Sequence, residues 1–410
     1  MTVLVQKYGG TSVDGPERIR AVARRVAAAR ASGNQLLVVV SAMGQSTDDL
    51  LTLARQVSQH PARRELDMLL TAGERVSMSL LAMALGDLGV ASISFTGSQS
   101  GILTNGVHGA ARITAVKPER VRAALAAGQV VIVAGFQGVH PETREITTLG
   151  RGGSDTTAVA LAATLDRAPC EIYTDVPGVL TADPRLVPDA RVIPRLSYRA
   201  CSALAHLGGR VLHARCVDLA ARERVPLTVR SSRDESPGTR IVEEEAMERA
   251  TAEAVTHRAD CSIAVAEGTS GGRGEPRGII EAVAAALPEL ELVAHEQTDG
   301  AHGALVWIGT RDDVVALERD FRRLRGPGGE WKLTLQHGAA FVSVVGLGLG
   351  AAEVVRAEQA LERAGIPLVA LRTTPAALIL RVPSVHAEPA VRALHAAFLE
   401  AAPAPATAPR

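Results

Sequence analysis

The chain has 410 residues, 47% hydrophobic and only 2% aromatic, so aliphatic side chains must build its cores and two or three domains are expected at this length. Lys+Arg and Asp+Glu balance at 44 each, which leaves no basic excess for a phosphate backbone and argues against a nucleic-acid partner. The four cysteines, Cys170, Cys201, Cys216 and Cys261, form no C-x-x-C pair, no signal-like segment precedes the first strand, and no apolar run reaches the roughly 18–20 residues of a membrane span, so neither a cysteine metal site nor a membrane partner is expected, and a cytoplasmic location is.

In chain order, strand-like apolar runs fall at 3–8, 36–41, 91–95, 130–136, 171–175 and 226–230. Most are continuous rather than alternating, as for strands buried on both faces. Helical patterns separate them. Ile19, Val22, Ala23, Val26 and Ala27 mark one face of the first, and Asp14-Gly15-Pro16-Glu17 opens it like a capping box with an early proline. This β-α-β spacing predicts a mostly parallel central sheet with helices on both faces.

The first run ends in "VLVQKYGGTSV". A Walker loop places its lysine after the glycines; here Lys7 closes the strand, at the carboxyl edge where open α/β sheets bind ligands. Gly9 and Gly10 let backbone N–H groups face a phosphate while Lys7 supplies a point charge. A purely structural turn fits this stretch alone equally well. "TTLGRGGSDTTA" sets Arg151, Ser154 and Asp155 around a double glycine before a helical run, which fits an anion site or an ordinary helix cap. "EIYTDVPGVLTADPR" ends a strand in Thr174-Asp175 and continues through a Pro-Gly turn to Asp183 and Arg185, a nucleotide grip or a simple loop. Ser41 and Thr47 follow the second strand, and Glu74 lies in "LLTAGERVS".

Taken in order, "KYGGTSV", "TAGER", "SFTGSQSGI", "VAGFQG", "GRGGSDTTA" and "YTDVPGVLTADPR" make residues 1–240 resemble the aspartate kinase family, within the amino-acid kinase fold. The resemblance implies ATP-dependent phosphorylation of the side-chain carboxylate of L-aspartate, with Mg²⁺. It implies that Lys7 stabilises the transferring phosphoryl group and that Asp155 organises the lysine and glycine loop. Ser41, Thr47, Glu74 and Arg151 fall at substrate positions, Arg151 for a carboxylate and Glu74 for the ammonium. Lys7, Gly9, Gly10, Ser154, Thr174, Asp175, Leu180, Asp183, Arg185 and Arg210 fall at ATP positions. No protein-borne metal site is implied.

Some positions depart from the family pattern. Arg199, Ala200 and Ala203 stand where glutamates are usual, Arg210 replaces a lysine, and Leu180 replaces an aromatic residue beside the nucleotide. Weaker ATP binding with the chemistry kept is the expectation. A polar, acidic stretch marks a linker at 241–257. Two ACT-like ferredoxin-type α+β units are expected at 258–335 and 336–401, and a disordered tail at 402–410. Their effector features look eroded: one loop reads "SGGRGEPRGI", and Pro375 intrudes in "TTPAALILRV". Weak feedback inhibition and a homodimer formed through the ACT-like units are expected. Alternatives are a kinase for a modified acidic amino acid, a catalytically weak regulatory partner, and a separate regulatory subunit started at Met247.

Overall fold

The computed structural model describes residues 2–209, 211–243, 251–269, 275–287, 289–297, 302–326 and 330–400. Arg210, Met247, the tail 402–410 and part of the "SGGRGEPRGI" loop lie outside the described residues. The chain divides into two compact units, Met1–Thr181 with Ala190–Glu248, and Ala182–Asp189 with Arg249–Arg410.

The first unit opens with β1 (Val3–Tyr8), α1 (Pro16–Ala31), β2 (Gln35–Val40), α2 (Ser46–Val57), α3 (Arg63–Leu70) and α4 (Ala72–Asp87). Then follow β3 (Ser92–Phe95), β4 (Ile102–Thr104), β5 (Ile113–Val116), α5 (Glu119–Ala126), β6 (Val130–Ala134), β7 (Gln137–Val139) and β8 (Ile146–Thr148). It closes with α6 (Gly153–Thr164), β9 (Cys170–Thr174), β10 (Arg195–Ser197), α7 (Tyr198–His206), α8 (Ala214–Glu223), β11 (Leu227–Ser231) and β12 (Thr239–Val242). An eight-stranded sheet runs β10-β12-β11-β9-β1-β2-β6-β3. All its pairings are parallel except β11 with β12. A separate sheet, β5-β4-β7-β8, was not legible in the sequence, because strands of three or four residues carry no period.

One face of the large sheet packs Tyr8, Leu36, Val38, Val40 and Ile132 against Ile19, Val22 and Val26 of α1 and Met78, Leu81 and Leu85 of α4. The expected capping box does not form: Gly15, at φ 90, is the cap, and Pro16 takes the first helical position. The run Arg63–Asp87 is long and apolar enough, on length and composition alone, to cross a membrane. The sequence reading missed it because its charged residues interrupt the run. One face of it packs into the core, with Leu81 and Leu85 fully buried, while Val76 and Met83 are exposed.

The second unit contains β13 (Thr251–Thr269), α9 (Glu275–Ala286), β14 (Glu291–Gln297), β15 (His302–Gly309), α10 (Arg311–Leu324) and β16 (Glu330–Leu347). It continues with α11 (Ala351–Arg363), β17 (Ala370–Thr374), β18 (Ala377–Pro383) and α12 (Ala387–His395). One sheet, β14-β15-β13-β16-β18-β17, joins both ACT-like halves. The far end of β13 pairs with β15, while its first residues pair only with the far end of β16. Strand therefore begins at Thr251, inside the stretch expected as linker. Pro375 does not interrupt a strand. It occupies the turn between β17 and β18, where the Ala376 N–H donates to Thr374 Oγ1, a place that suits its fixed φ.

Replacing Leu81, which is fully buried in the α1–α4 core, by Ala is expected to cost about 2–5 kcal/mol. Urea unfolding followed by circular dichroism checks this, and an unchanged midpoint would contradict the packing described.

Candidate active site

The carboxyl ends of the central strands lie level. Tyr8 is paired with Val40 and with Tyr173, and Val40 with Ala134. A polar network behind them helps hold that register. Tyr8 stacks on Tyr173 at 4.7 Å between centroids. Gln6 Nε2 donates to Glu171 Oε2 at 2.9 Å, and Arg230 donates to Glu171 Oε1 at 3.0 Å. The turns that leave the strands, Gly9-Gly10, Ser41-Ala42, Gly135-Phe136 and Thr174-Asp175, therefore open on one edge, with α1 on one face of β1 and α6 on the other.

Lys7 and Asp155 meet there. Lys7 Nζ lies 2.6 Å from Asp155 Oδ1, and the two residues are only 9% and 8% exposed. Asp155 sits in the first turn of α6, where backbone N–H groups remain unbonded and the helix dipole favours anions. The glycines serve close approach. A Cβ on Gly10 would lie 2.9 Å from the Ala42 carbonyl oxygen, and the Gly44 N–H donates to Gly10 O at 3.1 Å, which locks the turn after β1 to the turn after β2. A Cβ on Gly9 would lie 3.4 Å from Lys7 Nζ. Gly135 plays the same part for Ser154, whose Cβ would stand 2.7 Å from an added methyl. Gly135 was not singled out as a site residue; its signal was a glycine at a strand's carboxyl end, in "VAGFQG".

Glu74 lies in the first turn of α4 and is 3% exposed. Its Oε1 accepts from the Ala42 N–H at 3.2 Å, and its buried Oε2 has no partner among the described residues. Burial pushes its pKa up to about 7, against the pull of the Ala42 N–H. Gly73 permits this contact, since a Cβ there would lie 2.7 Å from Ala42 Cβ. Ser41 follows β2, its N–H donating to Tyr8 O, and Thr47 is in the first turn of α2. Arg151 is exposed, one residue before the α6 cap, and no hydrogen bond or ion pair engages its guanidinium among the described residues.

The remaining expected nucleotide residues are less gathered. Thr174 and the exposed Asp175 end β9, joined through Thr174 Oγ1. Leu180 bridges to Val192. Asp183 and Arg185 belong to the segment grouped with the second unit and pair with each other at 2.6 Å. That guanidinium holds the Asp183 carboxyl below its ordinary pKa.

Three sequence-missed residues border the site. His213, whose pKa burial and Arg215 lower, packs its ring where a Cβ on Gly152 would stand, 2.2 Å away. Arg215 reaches Leu149 and Ala111. Phe136, at φ 70, is a bulky residue in the left-handed region, a strained conformation of the kind found beside functional sites. No short motif flags Arg215, whose partners are distant in sequence.

The amino acid kinase family profile matches residues 2–231. The aspartokinase of Mycolicibacterium smegmatis is 44% identical over 406 residues, covering 97% of this chain and 96% of that protein. The aspartokinase of Corynebacterium glutamicum is 43% identical over the same shares. The crystal structure of aspartate kinase from Synechocystis is 36% identical, with a TM-score of 0.54, over 98% of this chain and 70% of that one. Escherichia coli aspartokinase III in complex with aspartate and ADP has a TM-score of 0.77 over 97% of this chain and 99% of that one; at 24% identity the likeness is one of fold.

A raised folded-state pKa means that Glu74 favours the fold when protonated. Its contribution is complete below the ordinary value of 4.5 and is lost as pH rises through about 7. Denaturation of the ligand-free protein across pH 4.5–7 should show this decline, and Glu74→Gln should flatten it. Identical slopes for the two proteins would contradict the assignment.

Proposed function

We infer that this chain, which belongs to the amino acid kinase family, is an aspartokinase: it transfers the γ-phosphoryl group of ATP to the side-chain carboxylate of L-aspartate, giving 4-phospho-L-aspartate and ADP. Full-length relatedness to aspartokinases supports the substrate. The observation that carries the chemistry is the 2.6 Å contact of Lys7 with Asp155 between a glycine turn and a helix N-terminus. A carboxylate is already a nucleophile at neutral pH, so the reaction needs alignment of two anions and neutralisation of charge rather than a strong base.

On this reading Lys7, the Gly10 N–H and the N–H groups left open in the first turn of α6 receive the phosphates, the Gly9 N–H being spent on Tyr173 O, and Asp155 keeps the Lys7 ammonium at the strand end. The unpartnered Glu74 oxygen suits the substrate ammonium, Arg151 suits a carboxylate through its planar fork, and Ser41 and Thr47 are our assignment for the rest of the substrate. Among the described residues no group of three or more His, Cys, Asp or Glu could hold a metal. The Mg²⁺ we assign to the reaction would be carried by the nucleotide phosphates and water, as Mg²⁺ commonly is. Thr174, Asp175, Leu180, Asp183, Arg185 and Arg210 remain our assignment for the rest of the nucleotide.

A hydroxamate assay with ATP, Mg²⁺ and L-aspartate tests this reading. Turnover of aspartate is expected, with a loss of at least about a hundredfold in Lys7→Ala, the size associated with removing one charge-stabilising group. Retained activity in Lys7→Ala would refute the role of Lys7. Turnover of only a modified acidic amino acid, or of none, would refute the substrate.

We further propose a homodimer through the ACT-like halves, with weak inhibition by lysine plus threonine. With Pro375 placed in a turn, the support for weak inhibition is the composition of "SGGRGEPRGI". Full inhibition at low millimolar effector would overturn it, and a light-scattering mass near that of one 42.8 kDa chain would overturn the dimer.

A further inference from the structure

We propose that Arg215 is a positioning residue for Arg151, setting the place of the substrate-facing guanidinium by bracing its loop from α8, with Asp67 gripping the same loop from α3. The inference rests on the reading of Arg151 as a substrate ligand.

Arg151 stands between Gly150 at φ 74 and Gly152 at φ 70. Two left-handed glycines make a pliable pivot, and Arg151 has no partner of its own among the described residues. Its position is therefore determined by where the loop begins and ends. The end is the first turn of α6, with the Gly153 N–H donating to Gly150 O at 3.0 Å. The beginning is Thr148-Leu149, and Arg215 fixes it. Arg215 Nη1 donates to Leu149 O at 2.6 Å, and Nη2 donates to Ala111 O at 2.9 Å. The guanidinium is half-buried and has no carboxylate partner among the described residues, so its fork is spent on two backbone carbonyls.

Asp67 holds the other side. It is fully buried. Its Oδ1 accepts from Thr148 Oγ1 at 2.5 Å and from the Gly109 N–H at 3.1 Å, and its Oδ2 lies 2.6 Å from His108 Nδ1. The Ala111 N–H donates to Thr148 O at 2.9 Å, and the Leu149 N–H to Phe136 O at 2.8 Å. Segment 148–149 is thus tied to segment 109–111 three times, once through a buried anion, once through a cation and once by a direct backbone hydrogen bond. The residue preceding α8, His213, packs against Gly152, so the start of that helix touches the Arg151 loop on both sides. None of these side chains is placed on the nucleotide.

The test separates aspartate from nucleotide. Arg215→Met is expected to raise KM for aspartate by about tenfold or more, the scale of a small misplacement, while KM for ATP and calorimetric ADP affinity stay within about twofold. Arg215→Lys, which keeps one donor, should fall between. In an Arg151→Met background the Arg215→Met change should add less than about twofold, because the two act as one unit. An unchanged KM for aspartate, an equal penalty in both backgrounds, or loss of ADP binding in both Arg215 variants would each overturn the proposal. If the unaltered protein turns over no aspartate, the functional reading falls and this inference falls with it; normal turnover with an unmoved KM removes this inference alone.

Discussion

The first unit is organised around one ion pair, Lys7 with Asp155. A lysine at the penultimate position of a parallel strand needs a partner at the sheet edge for its ammonium, and a helix that begins against that strand has N–H groups with no acceptors. Bringing the two together lets each end supply what the other lacks. The anion of the helix's first turn pins the cation, and the remaining donors stay free. For this to work the strand end and the helix start must approach within side-chain reach. That closeness is why glycine stands at 10, 135 and 152, where an added methyl would meet a neighbouring turn, Ser154 or the His213 ring.

Around that pair the structure spends its buried polar groups on fixing backbone. Gln6, Tyr8, Glu171, Tyr173 and Arg230 hold strands β1, β9 and β11 in step, and Asp67 and Arg215 hold the loop that carries Arg151. Buried groups of this kind are costly unless satisfied, and nearly every one named here has its partner. Among the described residues the exceptions include Glu74 Oε2 and His213 Nδ1 at the candidate site, and Arg230 Nε within the supporting network itself.

Much of this was legible in the residues. The strand Val3–Tyr8 was read with its observed bounds, and five further strands of the large sheet fell within two residues of theirs, because strands buried on both faces show as unbroken aliphatic runs. The meeting of Lys7 with Asp155 followed from motif order rather than from any local period. The small sheet β5-β4-β7-β8 escaped because its strands are too short to show one. The long strands β13 and β16 escaped for another reason: their middles, "HRADC" and "QHGAA", are polar or small and read as loops. Arg215 and Asp67 act through backbone atoms of residues distant in sequence, and such a role leaves no side-chain pattern to find.

The middle of β13 carries a further consequence. Its ladder with β16 shifts register on either side of Cys261, next to Asp260 at φ 53, and Gly338 at φ 73 lies across from it. These two left-handed residues form a joint between two stretches of regular pairing. Each half of the second unit therefore keeps its own alternation of inward and outward side chains, although both share the same two strands. A residue gained or lost at this joint would be absorbed there, whereas the same change a few positions away would turn a whole core face outward. The bulge gives evolution one place to alter the length of a shared strand while both halves keep their packing.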